Sequence, residues 1–348
     1  MSVDAFHRPV LRLPGLSLRL HRRGLLTMLA LVVVIIAIAL WSLAAGDFTL
    51  SLDRVLATLV GQGEKGENFV ILGLRLPRAL TGIFAGMAFG VAGALLQSLA
   101  RNPLASPDII GFDSGAALGA VATVVLFGAG GALVAVGAIG GGIGAAALVL
   151  AASWRNGIAP LRLVLVGIGI GACLYAGVQF LLTRSDIFEA SAAQAWLTGS
   201  LNARVWTHVW FAGLGVAIFV PAGLALHAAL ERLELGDDLA AALGTKVETV
   251  RILAGLVAVL LASTAVAAAG PLPFVALAAA PLARRIAQAS GPTLFTAGLV
   301  GAVIVTGADL MGRLVFAPIQ LPAGIFTAVL GAPYLLWLLA TQIRNGSM

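Results

Sequence analysis

The chain has 348 residues, of which 60% are hydrophobic and 10% charged, whereas a soluble globular chain carries roughly a quarter charged residues; most of it cannot face water. The net charge of +6 comes from basic residues standing singly or in pairs between apolar runs, so they read as topology signals and not as a nucleic-acid surface. The single cysteine, Cys173, lies inside an apolar run, which excludes an intrachain disulfide or cysteine metal cluster and suits a small packing residue.

A basic N-terminal arm, residues 1–24, carries Arg8, Arg12, Arg19, Arg22 and Arg23. Leu25 to Ala45 is uncharged throughout; it exceeds the roughly 7–15 residues of a signal-peptide core and is long enough to cross roughly 30 Å of hydrocarbon. It reads as a retained first span. Further uncharged runs follow at Ala79 to Ala100, Ser114 to Trp154, Leu163 to Thr183, Val205 to Leu230, Ile252 to Ala283, Ile286 to Ala308 and Leu314 to Ile343. Ser114 to Trp154 is about twice the length one crossing needs and holds Gly128, Gly130 and Gly131, so two spans with a tight turn are expected there. Ile252 to Ala283 is broken by Gly270-Pro271-Leu272-Pro273, and the short second half suits a tilted or partly re-entrant element lined by protein. The prediction is an all-α, polytopic membrane protein with ten transmembrane helices in one domain, residues 25–344.

An even number of spans puts both termini on one side, and Lys/Arg excess marks the cytoplasm. Ten spans leave Arg54, Lys65, Arg75, Arg78, Arg184, Arg204 and Arg313 outside and the larger share of the 21 basic residues on the side of the termini. Both termini are therefore expected in the cytoplasm. Gly82, Gly86 and Gly90 recur on one helix face, and Gly167, Gly169 and Gly171 cluster in the fifth span; such faces allow close helix packing.

A transporter needs an energy source. The sequence has no Gly-Lys pair, so the phosphate-cradling loop of P-loop ATPases is absent. Gradient-driven transporters place coupling-ion residues and inverted repeats at mid-membrane, and here the spans are nearly bare of charge. Asp309 is the main exception; Arg313 follows four residues later, a spacing that predicts an ion pair along one helix face. His208 and His227 sit near the two ends of the sixth span, where anchoring outranks metal binding. No resident metal site or bound cofactor is expected. Between Glu231 and Arg251, the run Leu235-Gly236-Asp237-Asp238-Leu239-Ala240-Ala241-Ala242-Leu243-Gly244 reads as a short glycine-bracketed helix across the membrane face.

Several stretches together resemble the FecCD, or vitamin B12-type, permease family of binding-protein-dependent importers. They are Arg75-Leu76-Pro77-Arg78, Gly93-Ala94-Leu95-Leu96-Gln97, Arg101-Asn102-Pro103-Leu104-Ala105-Ser106-Pro107, Trp196 to Leu201, Leu235 to Gly244, Gly270-Pro271 with Phe274-Val275, Ala308-Asp309 with Arg313, and Leu321-Pro322-Ala323-Gly324 with Gly331-Ala332-Pro333. The wording around Ser106 to Phe112 and Gly46 to Leu50 is most similar to ferric-enterobactin permeases. One departure stands out: many members carry a Pro-His pair where this chain has Pro281-Leu282 followed by Arg284-Arg285.

The resemblance implies a type II ABC importer permease fold in the bacterial inner membrane, carrying a ferric siderophore inward, or haem or cobalamin by the same machinery. It implies a second permease subunit, identical or different, two cytoplasmic ATPase subunits holding ATP and Mg, and a periplasmic siderophore-binding protein. The chain itself would not be an enzyme. By the same resemblance, a coupling helix at about residues 235–246 would seat on the ATPase through Leu235, Gly236, Asp237, Asp238, Ala241, Leu243 and Gly244. Arg75, Arg78 and Arg313 would meet the binding protein, and Asn102 and Leu104 would close the cytoplasmic gate.

Overall fold

A computed structural model describes residues 10–13, 16–19, 22–46, 48–108, 110–155, 160–289 and 291–344. Arg8 in the arm and Asp47 after the first span lie outside these residues. In the arm, β1 (Val10–Leu13) and β2 (Leu16–Arg19) form an antiparallel hairpin with Val10 opposite Arg19. Among the described residues, everything after it is helical or connecting turn.

Ten helices follow the uncharged runs. They are α1 (Arg22–Ala44), α4 (Leu76–Ala100), α5 (Phe112–Phe127), α6 (Ala132–Ser153), α7 (Pro160–Arg184), α9 (Trp206–Ala225), α12 (Val247–Ala269), α13 (Val275–Ala287), α14 (Leu294–Leu314) and α15 (Ala323–Arg344). Short helices join them: α2 (Leu52–Leu59), α3 (Lys65–Asn68), α8 (Ile187–Leu197), α10 (His227–Glu234) and α11 (Asp237–Ala242). Both breaks fall where glycine and proline put them, at Gly128 to Gly131 between α5 and α6 and at Gly270 to Phe274 between α12 and α13.

Among the described residues, eight helices are long and apolar enough to cross a bilayer. α5, with 16 residues, and α13, with 13, are shorter than the roughly 20 that one crossing takes. For α13 the short second half of the broken run already pointed to this. Two boundaries differ from expectation. The ninth span begins at Leu294 and not at Ile286, because α13 continues through Ile286 to Ala287, and the segment ending Gly291-Pro292-Thr293 separates the two helices. The second span is prolonged backwards by α3 and a π-helical stretch, Phe69–Arg75, with Pro77 early in α4, where its missing N–H is tolerated.

α4, α12 and α14 form the buried centre, with most of their apolar windows covered, while α1 is nearly bare along its length. α4 packs against α9, α12, α13 and α14. Lipid-facing helices gain nothing from hydrophobic burial against one another, so close backbone approach must supply the packing. The Gly82, Gly86, Gly90 face does this. A Cβ on Gly86 would sit 2.4 Å from the Gly301 carbonyl oxygen of α14, and one on Gly90 would sit 2.2 Å from that of Ala297.

Candidate functional site: the two ends of the bundle

α4 is 25 residues long, about 37 Å at 1.5 Å per residue. Charged side chains gather where it begins, at Arg78, and where it stops, at Arg101.

At the Arg101 end lies α11, with Gly236 at its start (φ +109°) and Gly244 just past its end (φ +81°). Those backbone angles are costly for residues with a Cβ, so the glycines fix a short helix between two sharp turns. Ala240 faces inward and is fully buried, whereas Leu235, Leu239 and Leu243 are 59%, 58% and 55% exposed. Leu239 and Leu243, four apart on α11 and its C-cap, share one side, and Leu235 stands just before the turn at Gly236. Asp238 and Ala241 are exposed beside them.

Asp237 does something different. Its carboxylate accepts from Arg101 Nη2 at 2.8 Å and, through both oxygens, from Arg251 Nη2 at 2.8 Å. Arg101 ends α4 in a left-handed conformation (φ +48°), and Arg251 stands in the second turn of α12. The carboxylate expected to meet an ATPase is thus turned onto the ends of this chain's own α4 and α12. Arg232 adds a second tie, donating to the Leu243 carbonyl at 3.3 Å. Sequence reasoning missed Arg101 and Arg251 as partners; the available signal was a basic residue one turn inside an otherwise apolar span.

Asn102 and Leu104 follow Arg101 directly. Asn102 Oδ1 accepts from the Leu104 N–H at 2.9 Å, and the Ala105 N–H donates to the Asn102 carbonyl at 3.1 Å. This is an Asx-type turn, and it hangs on the residue that Asp237 holds. Beyond it the first turn of α5 buries Asp113, whose Oδ1 has no partner among the described residues. Nothing in the sequence singles this carboxylate out, since the uncharged run begins one residue later.

The opposite end corrects two expectations. Arg75 and Arg313 are each only 8% exposed, and both point at the carbonyls ending α1. Arg75 Nη1 donates to Leu43 O at 2.7 Å and Nη2 to Phe48 O at 2.6 Å. Arg313 Nη1 donates to Ser42 O at 3.1 Å and Ser42 Oγ at 2.9 Å, and its Nη2 to Ala45 O at 2.5 Å. The last carbonyls of a helix lack intrahelical donors and carry its negative dipole end, so two arginines satisfy them here. Neither guanidinium is presented outward as a docking group.

The expected Asp309–Arg313 pair is likewise not formed. Asp309 is 4% exposed and is gripped by Arg78, with Nε at 2.9 Å from Oδ2 and Nη2 at 2.9 Å from Oδ1. Two parallel bonds make this the geometrically selective kind of ion pair. Residues four apart on α14 are neighbours, but the glycine contact between α4 and α14 brings Arg78 across to Asp309 and leaves Arg313 to reach α1.

An apolar bundle with eight helices able to cross a bilayer, and a short helix with exposed leucines tied by arginines to the ends of α4 and α12, is the architecture of a multi-pass membrane permease. The chain belongs to the FecCD transport family, whose pattern matches residues 31–341. It is 41% identical to the ferric enterobactin transport system permease protein FepG of Escherichia coli (strain K12), across 93% of this chain and 98% of that protein. It is 38% identical to the Fe(3+)-citrate import system permease protein YfmE of Bacillus subtilis (strain 168), across 94% and 98% respectively. A solved metal-chelate type ABC transporter in an inward-facing conformation superposes with a TM-score of 0.81 at 29% identity, across 90% of this chain and 98% of that one.

Proposed function

We propose that this chain is the membrane-spanning permease subunit of an ATP-driven importer that passes a ferric siderophore into the cytoplasm by alternating access. The observation that carries the reading is Asp237. A helix whose exposed leucines suit an ATPase groove is tied through this carboxylate to the ends of α4 and α12, which is what a lever between nucleotide closure and a gate requires. Two cytoplasmic ATPase subunits would hold ATP and Mg. A second permease subunit would complete the path, and a periplasmic binding protein would deliver the chelate to the Arg78 end. The bundle would lie in a bacterial inner membrane with both termini cytoplasmic, and the turn at Asn102 and Leu104 would close the inner gate. The iron chelates in the names of its relatives support the cargo class.

The test is uptake of radiolabelled iron, presented as a ferric tris-catecholate and separately as haem, into vesicles holding the assembled transporter. ATP-dependent accumulation of the catecholate is expected. Uptake of haem alone changes the cargo, and accumulation without ATP overturns the primary-transport reading.

A further inference from the structure

Beside the Arg78–Asp309 pair is a cavity of about 350 Å³. It lies between α8, the loop leading into α9 and the stretch just before α15, and Arg78, Trp196, Ser200, Asn202, Arg204 and Gln320 line it. Its volume falls at the lower end of ligand pockets, roughly 300–1,000 Å³.

The charge in this cavity does not balance. Arg78 is neutralised by Asp309. Arg204 donates Nε to the Ser200 carbonyl at 3.1 Å and lies 3.4 Å from His208 Nε2 through Nη1, and no carboxylate among the described residues is within ion-pairing distance of it. Desolvation pulls the Arg204 guanidinium down to about 10, which still leaves it charged at neutral pH. A recessed cation without a counter-charge favours an anion beside it.

The neutral groups lean the same way. Arg78 Nη1 donates to Gln320 Oε1 at 3.2 Å and to Asn202 Oδ1 at 3.5 Å, and the Ala203 N–H also donates to Asn202 Oδ1 at 3.0 Å. With both amide oxygens so engaged, the remaining amide groups, Asn202 Nδ2 and Gln320 Nε2, are donors without a partner among the described residues. Arginine and two amides therefore offer the cavity N–H groups, and Trp196 supplies an aromatic wall.

We propose that this cavity is an oxyanion subsite for the incoming ferric chelate, taking one carboxylate or catecholate arm at the outer mouth before passage between the subunits. This rests on the transport reading above. A small ligand suits the cavity better than a docking side chain because Arg78 is recessed, its side chain 11% exposed.

The test uses the complete transporter in nanodiscs with no binding protein present, titrated with a radiolabelled ferric tris-catecholate. Arg204→Gln is expected to weaken chelate binding about tenfold, the scale of one charge-assisted contact, and Arg204→Lys to restore much of it. Affinity for the cargo-free binding protein, measured separately, should not change. Asn202→Asp, at an exposed position, gives an independent arm: a carboxylate in the cavity should repel the chelate without disturbing the bundle. Unchanged chelate binding in both variants overturns the proposal, whether or not the binding protein then docks more weakly; weaker docking would assign the cation to an acidic side chain of that protein. ATP-driven uptake by the wild type separates the two levels. Its absence removes the transport reading and the subsite with it, whereas intact uptake with Arg204-independent binding removes the subsite alone.

Discussion

Asp237→Asn removes one charge and keeps the side chain's shape. In the native structure the carboxylate accepts three 2.8 Å hydrogen bonds from two guanidiniums. The Arg101 side chain is 35% exposed and that of Asp237 42% exposed, so their pair counts for about 1 kcal/mol or less. The Arg251 side chain is 8% exposed, and a buried charge losing its partner costs about 3–5 kcal/mol. Glu248, 3.8 Å from Arg251 Nη1, remains as a weaker partner, and together with the exposure of Asp237 this lowers the sum to about 2–3 kcal/mol. The loss is local, because none of these groups holds the α4–α14 core. It should appear as hydrogen exchange over residues 235–246 faster by about 30–150-fold, with the transporter still assembled. On the proposed lever reading, ATP hydrolysis should continue while uptake falls at least about tenfold. Asp238→Asn is the control: Asp238 is exposed and makes no hydrogen bond or ion pair among the described residues, so exchange should stay within about twofold of wild type. If Asp238→Asn proves the more damaging of the two, or Asp237→Asn leaves exchange and uptake intact, the tether has been misread and the ATPase reads these charges directly.

Gly90→Val should prevent stable folding, because its Cβ would begin 2.2 Å from the Ala297 carbonyl oxygen and backbone on both sides cannot yield; yield and thermal transition in detergent report this. Arg313→Ala should lower stability by about 1–3 kcal/mol by stranding the carbonyls of Ser42 and Ala45, while affinity for the binding protein stays unchanged; a thermal shift with a parallel docking titration checks both. Replacing Leu235, Leu239 and Leu243 together by Ser should abolish co-purification of the ATPase subunits with little change in the stability of the bundle, since all three are more than half exposed.

Much of the fold was legible because one physical rule dominates it. Lipid forces backbone pairing inside each helix, so uncharged length alone located the spans, and Gly128 to Gly131 and Gly270 to Pro273 located the breaks. The Gly82, Gly86, Gly90 face was legible for the same reason, since spacing by four defines a face whatever it meets. Partners of charged groups were not legible. Asp309 and Arg313 satisfy the same-helix rule, yet the contest was decided by which backbone lies closest, and that distance is set where Gly86 and Gly90 of another helix, α4, meet Gly301 and Ala297. Arg75 and Arg313 read as outward charges because nothing in their local sequence shows a helix ending beside them. Asp237 and Asp238 are adjacent and alike in sequence, and a rotation of about 100° per residue along α11 separates one that holds the bundle from one that faces away.

The two arginine–carboxylate clusters also constrain how such a bundle can move. α4 carries Arg78 at one end, gripped by Asp309 of α14, and Arg101 immediately after its other end, gripped by Asp237 of α11. Between them α4 is packed on α14 by backbone contacts at Gly86 and Gly90 too close to admit even a Cβ. A displacement of α11 must therefore either break the Asp237 pairs or carry α4 and α14 with it as one body, and the latter delivers the movement to the Arg78 end some 37 Å away. Rigid-body displacement of packed helices is an established way for small shifts at one site to reopen another. On the proposed reading, the rod in this chain would be α4 with α14, with an arginine–carboxylate pair at each end of α4.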